Sequence, residues 1–228
     1  MTLIIEVAKV QKKSETSTIT MVYFLIELIF WYALLWLASR HGINGLLAFV
    51  ILAAITATIE AGQNILLLGH HLNGGCIPFA TLFLATDIAS ETLGKRDSRS
   101  LVHYSGIAIM VFSLVIALFG LYDDIRPSWY DTLGTTLRIS VASVVTYLLC
   151  GYVDIIIYHS IGRISRFKWL RNNIATITSQ FINAAMFITL AFGWNTELII
   201  FNAIVSTILA LLDTPMIYLI TGRDKLLK

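Results

Sequence analysis

Apolar residues run in seven stretches along the chain, roughly 21–39, 43–68, 76–93, 101–121, 135–158, 173–193 and 198–220, separated by short polar loops. Residues 61–86, 101–122 and 172–196 contain no Lys, Arg, Asp or Glu, and each of these spans is at least 22 residues long. About 20 apolar residues cross a bilayer as a helix, and backbone groups in hydrocarbon must pair within their own segment. The pattern predicts an all-α fold, a polytopic membrane helix bundle. As a single helix the second stretch would be about 39 Å long, so it must tilt or protrude. The third is short and follows Gly74-Gly75-Cys76-Ile77-Pro78, a breaker sequence. A broken or partial helix is expected there, the type of element that lines transporter sites.

Composition sharpens this picture. Of the 228 residues, 57% are hydrophobic and only 13% charged, with a mean hydropathy of +0.79; soluble domains carry charge on about a quarter of their residues. A net charge of +2 gives no basic face for nucleic acid. Cys76 and Cys150 make neither a disulfide framework nor a metal cluster. With no G-x-x-x-x-G-K-[ST] loop, the chain has no ATP-hydrolysing site of its own, and no cofactor is implied. Placing 40–42, 94–100, 160–172 and 221–228 on one side gathers eleven Lys and Arg there against four on the other. This asymmetry predicts a cytoplasmic C-terminal tail and an external N-terminal tail over residues 1–20. Leu3, Ile4, Val7 and Val10 share one helical face, which could lie on the membrane surface. So short a segment is a marginal helix, however, and a disordered extension is the expectation.

Polar residues inside apolar stretches are the candidate functional groups, since a carboxylate at the bilayer centre costs about 2.5–3.5 kcal/mol on insertion scales. Glu27, Glu60, Asp87, Glu91, Asp154 and Asp213 are placed this way, with Arg138 near the start of the fifth stretch. Helical spacing puts Glu60, Gln63 and Asn64 on one face, and Asp87 and Glu91 on another. Tyr147, Cys150, Gly151, Asp154 and Tyr158 form a stripe on the fifth helix, and Gln180, Asn183 and Phe187 form one on the sixth. Asp87 and Asp154, with apolar residues on both sides, point to function most strongly. Glu91 can serve a substrate or pair with the basic loop after it. Arg138 reads as a partner for a buried carboxylate, and His70-His71 as turn residues with no third metal ligand. An internal echo links the fifth and sixth helices: Cys150-Gly151-Tyr152-Val153-Asp154 with Tyr158 matches Ser179-Gln180-Phe181-Ile182-Asn183 with Phe187, 29 residues on.

These blocks resemble the queuosine precursor transporter family of the vitamin uptake transporters. The resemblance rests on Gln63-Asn64-Ile65-Leu66, Ile77-Pro78-Phe79 and Thr86-Asp87-Ile88-Ala89-Ser90-Glu91-Thr92-Leu93-Gly94-Lys95-Arg96, followed in order by Arg138-Ile139-Ser140-Val141-Ala142-Ser143, Trp169-Leu170-Arg171-Asn172-Asn173, Ser179-Gln180-Phe181-Ile182-Asn183 and Asp213-Thr214-Pro215-Met216-Ile217-Tyr218. It covers about 60–220 and implies a six-helix transporter core over 43–220, with 21–39 as one additional N-terminal helix. It further implies uptake of a 7-deazaguanine precursor, cyano or aminomethyl, across the bacterial cytoplasmic (inner) membrane. The family's S-Q-x-x-D pattern on both echo helices is altered here to Cys150-Gly151-x-x-Asp154 and Ser179-Gln180-x-x-Asn183.

A planar, uncharged base offers N–H donors and a carbonyl acceptor, which carboxylates and amides can match, between aromatic faces. The expected substrate-binding set is Asn64, Asp87, Glu91, Tyr147, Asp154, Gln180 and Asn183, with Tyr147, Tyr152 and Phe181 as stacking candidates. Arg138, Arg171, Asn172 and Asp213 are expected in structural or charge-pairing roles. The expected partners are a small-molecule substrate, membrane lipids and, conceivably, further copies of the chain. The chain is expected not to be an enzyme, lacking a nucleophile–base pair. An alternative reading is a substrate-binding membrane subunit energised by a separate ATPase.

Overall fold

The computed structural model describes the backbone of residues 2–119 and 126–222 and the side chains of 18–118 and 138–222. Seven helices occur in it: α1 (Thr2–Ser39), α2 (Gly42–Glu60), α3 (Cys76–Thr92), α4 (Lys95–Phe119), α5 (Arg126–Gly162), α6 (Lys168–Phe192) and α7 (Thr196–Thr221). All but α3 are long and apolar enough to cross a membrane. This is the helical membrane bundle the hydropathy pattern predicts, with two departures at its N-terminal half.

The first departure is α1, which starts at Thr2 rather than near residue 21. A polar segment that is marginal alone escapes the nucleation cost when it extends an existing helix. The second is at α2, which stops at Glu60 instead of running to residue 68. Beyond it, β1 (Asn64–Leu67) and β2 (His70–Asn73) form an antiparallel hairpin, with Asn64 opposite Asn73 and Leu67 opposite His70. The turn is Leu68–Gly69, so His70 and His71 lie on a strand and not in a turn.

α3 is the axis of the bundle. Fourteen of its 17 residues are buried, and it packs against every other helix of the chain. It has no solvated polar face, for its own polar residues Thr81, Thr86, Asp87 and Ser90 are all buried. Its start is fixed by a close backbone approach: a Cβ on Gly75 would fall 2.2 Å from the Ala57 carbonyl oxygen of α2. Its end is fixed by Gly94 (φ +102°), whose N–H, with that of Leu93, returns to the Ala89 carbonyl at 2.8 Å. On α2 the inward stripe Leu46, Phe49, Val50, Ala53, Ala54, Ala57 and Thr58 is rich in alanine, so the two helices come close. Exposed apolar residues cover the outside instead, among them Met110, Val111, Leu114 and Val115 on α4 and Ile200, Ile204, Ile208 and Leu211 on α7. Lipid covers such a surface.

Candidate functional site

Helix α6 organises the interior in layers. Arg171 and Asn183 are separated by about 18 Å along its axis at 1.5 Å per residue, and different chemistry faces it at each level.

At one end lies a buried ion-pair network. Arg171 Nη2 stands 2.8 Å from Glu91 Oε2 and Lys168 Nζ 3.4 Å from Glu91 Oε1, with side-chain exposures of 0% for both cations and 4% for the carboxylate. Tyr158 donates to Glu91 Oε2 (3.3 Å), and its ring lies under the Arg171 guanidinium. Lys168 also donates to Thr221 Oγ1 and to the carbonyls of Thr221 and Gly222, capping the end of α7. Glu91 therefore pairs with cations on α6 rather than with the basic loop that follows it, and its oxygens are occupied, not offered to a ligand. Arg171, wholly buried, has Glu91 as its carboxylate partner.

One layer further in are the buried aspartates. Thr176 donates to Asp87 Oδ2 at 3.1 Å, and Ser179 to Asp154 Oδ1 at 2.9 Å. The two carboxyl groups are thus held by hydroxyls one turn apart on α6, and Asp87 Oδ1 and Asp154 Oδ2 have no hydrogen-bond partner. Asp213 Oδ1 accepts from Tyr32 of α1 at 2.6 Å, a tie between the first and last helices. Asn172 donates to the Ala210 carbonyl at 3.5 Å, and Asn173 and Thr214 bond side chain to side chain. Arg138 departs from expectation: its Nε donates to the Leu190 carbonyl at 2.8 Å, and the residue is exposed. Sixteen residues before Asp154 on α5, about 24 Å along the axis at 1.5 Å per residue, it lies too far along the bundle to reach the aspartates.

The third layer is a cavity enclosing about 40 Å³, lined by Thr58, Asn73, Phe79, Ser143, Gln180, Asn183, Phe187 and Asn202 among small apolar residues. Gln180 Nε2 and Asn183 Oδ1 are buried and unpartnered, so one donor and one acceptor, three residues apart on α6, are presented together. Of the expected substrate set, these two line the cavity, and Asp87, Asp154 and Glu91 do not. Tyr147 backs it from outside, with its hydroxyl on Ser105 (2.6 Å) and its ring edge-on to Phe79 (5.8 Å). Asn64 is exposed on β1, away from the cavity, because the Ala61-Gly62-Gln63 turn ends the helix that would have carried it. Phe181, at 59% exposure, faces outward, and Tyr152 lines a basic surface cleft with Lys95, Arg96 and Arg99. The aromatic walls are Phe79 and Phe187.

Sequence reasoning missed Asn73 and Asn202. The backbone N–H of Asn73 donates to Asn202 Oδ1 (3.2 Å), its Nδ2 to the Ala61 carbonyl (3.2 Å), and its Oδ1 accepts from Gly75 N (3.0 Å). Asn73 thus ties the hairpin to α2, α3 and α7 at the cavity rim. At the surface His70 meets Glu197 at 3.2 Å and stacks on Phe201 at 4.9 Å. Among the described residues no group of three or more His, Cys, Asp or Glu is arranged to hold a metal ion.

Membrane-crossing helices around a small cavity with unmatched amide groups define a multi-pass membrane protein of the solute-transporter class. The chain belongs to the vitamin uptake transporter family: the profile described as "putative vitamin uptake transporter" matches residues 73–220. A probable queuosine precursor transporter of Bacillus subtilis (strain 168) is 25% identical over 179 residues, covering 75% of each chain. Another probable queuosine precursor transporter, from Haemophilus influenzae, is 22% identical over 172 residues, 74% of this chain and 69% of the relative. No solved structure matches the chain.

Proposed function

We propose that this protein imports a 7-deazaguanine precursor of queuosine, with the cyano or aminomethyl base read by Gln180 and Asn183 and held between Phe79 and Phe187. The carrying observation is the pair of buried, unpartnered amide atoms that line the cavity. A primary amide has both donors and an acceptor, and two of them side by side match the lactam edge of a guanine-like ring. Buried groups left unpaired by an analogue penalise its binding, which gives selectivity. The names of the two relatives support the same cargo.

Some 40 Å³, against about 10–15 Å³ on the same measure for a single water, holds a few waters and not a purine-sized base. The walls must part to admit a base, so this conformation is a closed step of an alternating cycle. The end bearing Arg40, Lys95, Arg96, Arg99, Arg163, Arg166 and Lys168 faces the cytoplasm on this reading, with the C-terminus there and the hairpin facing outward in a bacterial inner membrane.

The test is rescue. Bacteria lacking both precursor synthesis and their own uptake protein are given this chain and nanomolar 7-cyano- or 7-aminomethyl-7-deazaguanine, and queuosine in tRNA is scored. Modified tRNA that disappears in Gln180→Ala is expected. No rescue by a chain confirmed to be in the membrane overturns the cargo, and rescue equal to wild type in Gln180→Ala overturns the site.

A further inference from the structure

The layer between cavity and ion pair is left unused by Gln180 and Asn183, which read only the lactam edge of the ring. We propose that Asp87 and Asp154 form a binding site for a monovalent cation, a proton or a sodium ion, whose occupancy is tied to passage of the base through the neighbouring cavity. The inference rests on the transport reading above and supplies its energy source.

The site is built from three helices. Asp87 on α3 and Asp154 on α5 are each 0% exposed. One oxygen of each is fixed by a hydroxyl of α6, Thr176 or Ser179. That leaves Asp87 Oδ1 and Asp154 Oδ2, both unpartnered, on carboxyls held by hydroxyls three residues apart on one face of α6. A proton shared between these two oxygens, or a sodium ion taking them with the Thr176 and Ser179 hydroxyls, supplies the missing positive charge. An independent group points the same way. Asn172 is wholly buried one turn before Thr176 on the same face of α6, and its Nδ2 is tied to the Ala210 carbonyl, one turn before Asp213. Its Oδ1 is left without a partner. An uncharged, unpartnered oxygen acceptor one helical turn from the residue that holds Asp87 adds a further ligand suited to a cation and to nothing negative.

The charged and titratable surroundings leave the pair unneutralised. From α3, Glu91 is occupied by Lys168 and Arg171 of α6. α5 contributes Tyr147, whose hydroxyl is bonded to Ser105 of α4, the thiol of Cys150, and Tyr158, which donates to Glu91. From α7 comes another carboxyl, Asp213, held by Tyr32 of α1. The α4 cations Lys95 and Arg99 lie beside His159 instead. α2 brings Thr58, whose hydroxyl donates to its own helix at Ala54, and at its end Glu60, which lies near Glu27 and Cys76 rather than the aspartates.

α6 is the coupling element. Thr176 and Ser179 hold the carboxyls, while Gln180 and Asn183, on the next turn, reach the cavity. A base that draws on Gln180 moves the hydroxyls that hold the cation site, and a cation that draws the carboxyls together moves the amides.

Purified protein in liposomes separates this proposal from the cargo reading. Exchange of labelled 7-cyano-7-deazaguanine without any ion gradient tests the cargo. Uptake under an imposed inward proton or sodium gradient, at clamped membrane potential, tests the coupling. One of the two gradients should raise accumulation about tenfold over exchange, identifying the ion, and in Asp154→Asn and Asp87→Asn that ratio should fall to one. Melting temperature across pH 5–9, in sodium or in choline, reads the site without the base, and a cation-dependent shift lost in Asp154→Asn is expected. That shift without exchange would keep the cation site and discard the cargo. Ser179→Ala, which keeps both carboxyls, should raise the half-maximal cation concentration several-fold. The proposal is overturned if exchange occurs but neither gradient changes uptake. It is also overturned if the aspartate variants respond like wild type, if they lose exchange together with the gradient response, or if wild-type melting ignores both ions.

Discussion

The two ends of the bundle are closed by opposite means. At the basic end, Glu91, Lys168 and Arg171 join α3 to α6 in an ion pair sealed from solvent, and Lys168 extends the staple to the last carbonyls of α7. At the hairpin end the corresponding charged contact, His70–Glu197, is 52% and 74% exposed. Among the described residues, firm closure there falls to the neutral bonds of Asn73. Removing one partner of a buried pair strands a charge at a cost of about 3–5 kcal/mol, whereas exposed pairs contribute about 0–1 kcal/mol. The difference teaches which end can yield. The cavity lies directly beneath the hairpin, with Asn73 and Asn202 on its rim, so the weaker closure is also the nearer one.

The largest effect tests the strong end. Glu91→Gln leaves Lys168 and Arg171 without their carboxylate and should lower stability by about 3–5 kcal/mol, read as a drop in melting temperature in detergent and in membrane abundance. Melting like wild type would mean that the ion pair does not hold this end. Next comes the space between the ends. Gln180→Ala and Asn183→Ala should each cut uptake about tenfold or more with melting nearly unchanged, because they remove base-reading groups and not packing. At the weak end, Asn73→Ala strands Gly75 N and the Ala61 carbonyl and should cost about 1–3 kcal/mol; protease sensitivity of residues 62–75 would report the loosened hairpin. Smallest is His70→Ala, expected within about 1 kcal/mol of wild type. A loss from His70→Ala equal to that from Glu91→Gln would erase the asymmetry.

Much of this architecture was legible in hydropathy, because a helix in lipid must carry its own apolar length. The hairpin was not. Ile65-Leu66-Leu67-Leu68 resumes the apolar run of α2 after Glu60-Ala61-Gly62-Gln63-Asn64, whose polar residues fit one face of a continuing helix, and only Gly62, Gly69 and Gly74-Gly75 mark where the chain turns. Asn64 was misplaced for that reason. The site was legible where helical phase decides it: Gln180, Asn183 and Phe187 share a face in sequence and line the cavity in space. Phe181 and Tyr152 do not share it, and face elsewhere. The 29-residue echo becomes geometry of another kind. α5 and α6 are neighbours, and Asp154 of one copy accepts from Ser179 of the other, while Asn183, the counterpart of Asp154, looks into the cavity. What spacing could not show is distance between helices. The partners of Glu91 lie 77 and 80 residues away, at Lys168 and Arg171, and Tyr32 is 181 residues from Asp213.

The buried position of α3 bears on how the protein is made. A helix bounded by protein on every side gains little from lipid, and this one carries Thr81, Thr86, Asp87 and Ser90 through the interior. When it leaves the ribosome, the hydroxyl that will receive Asp87 is still 89 residues from being synthesised. α3 therefore cannot settle in order of synthesis. Its contacts with α5, α6 and α7 form only once those helices have been made, so its final seating comes late in the assembly of the bundle.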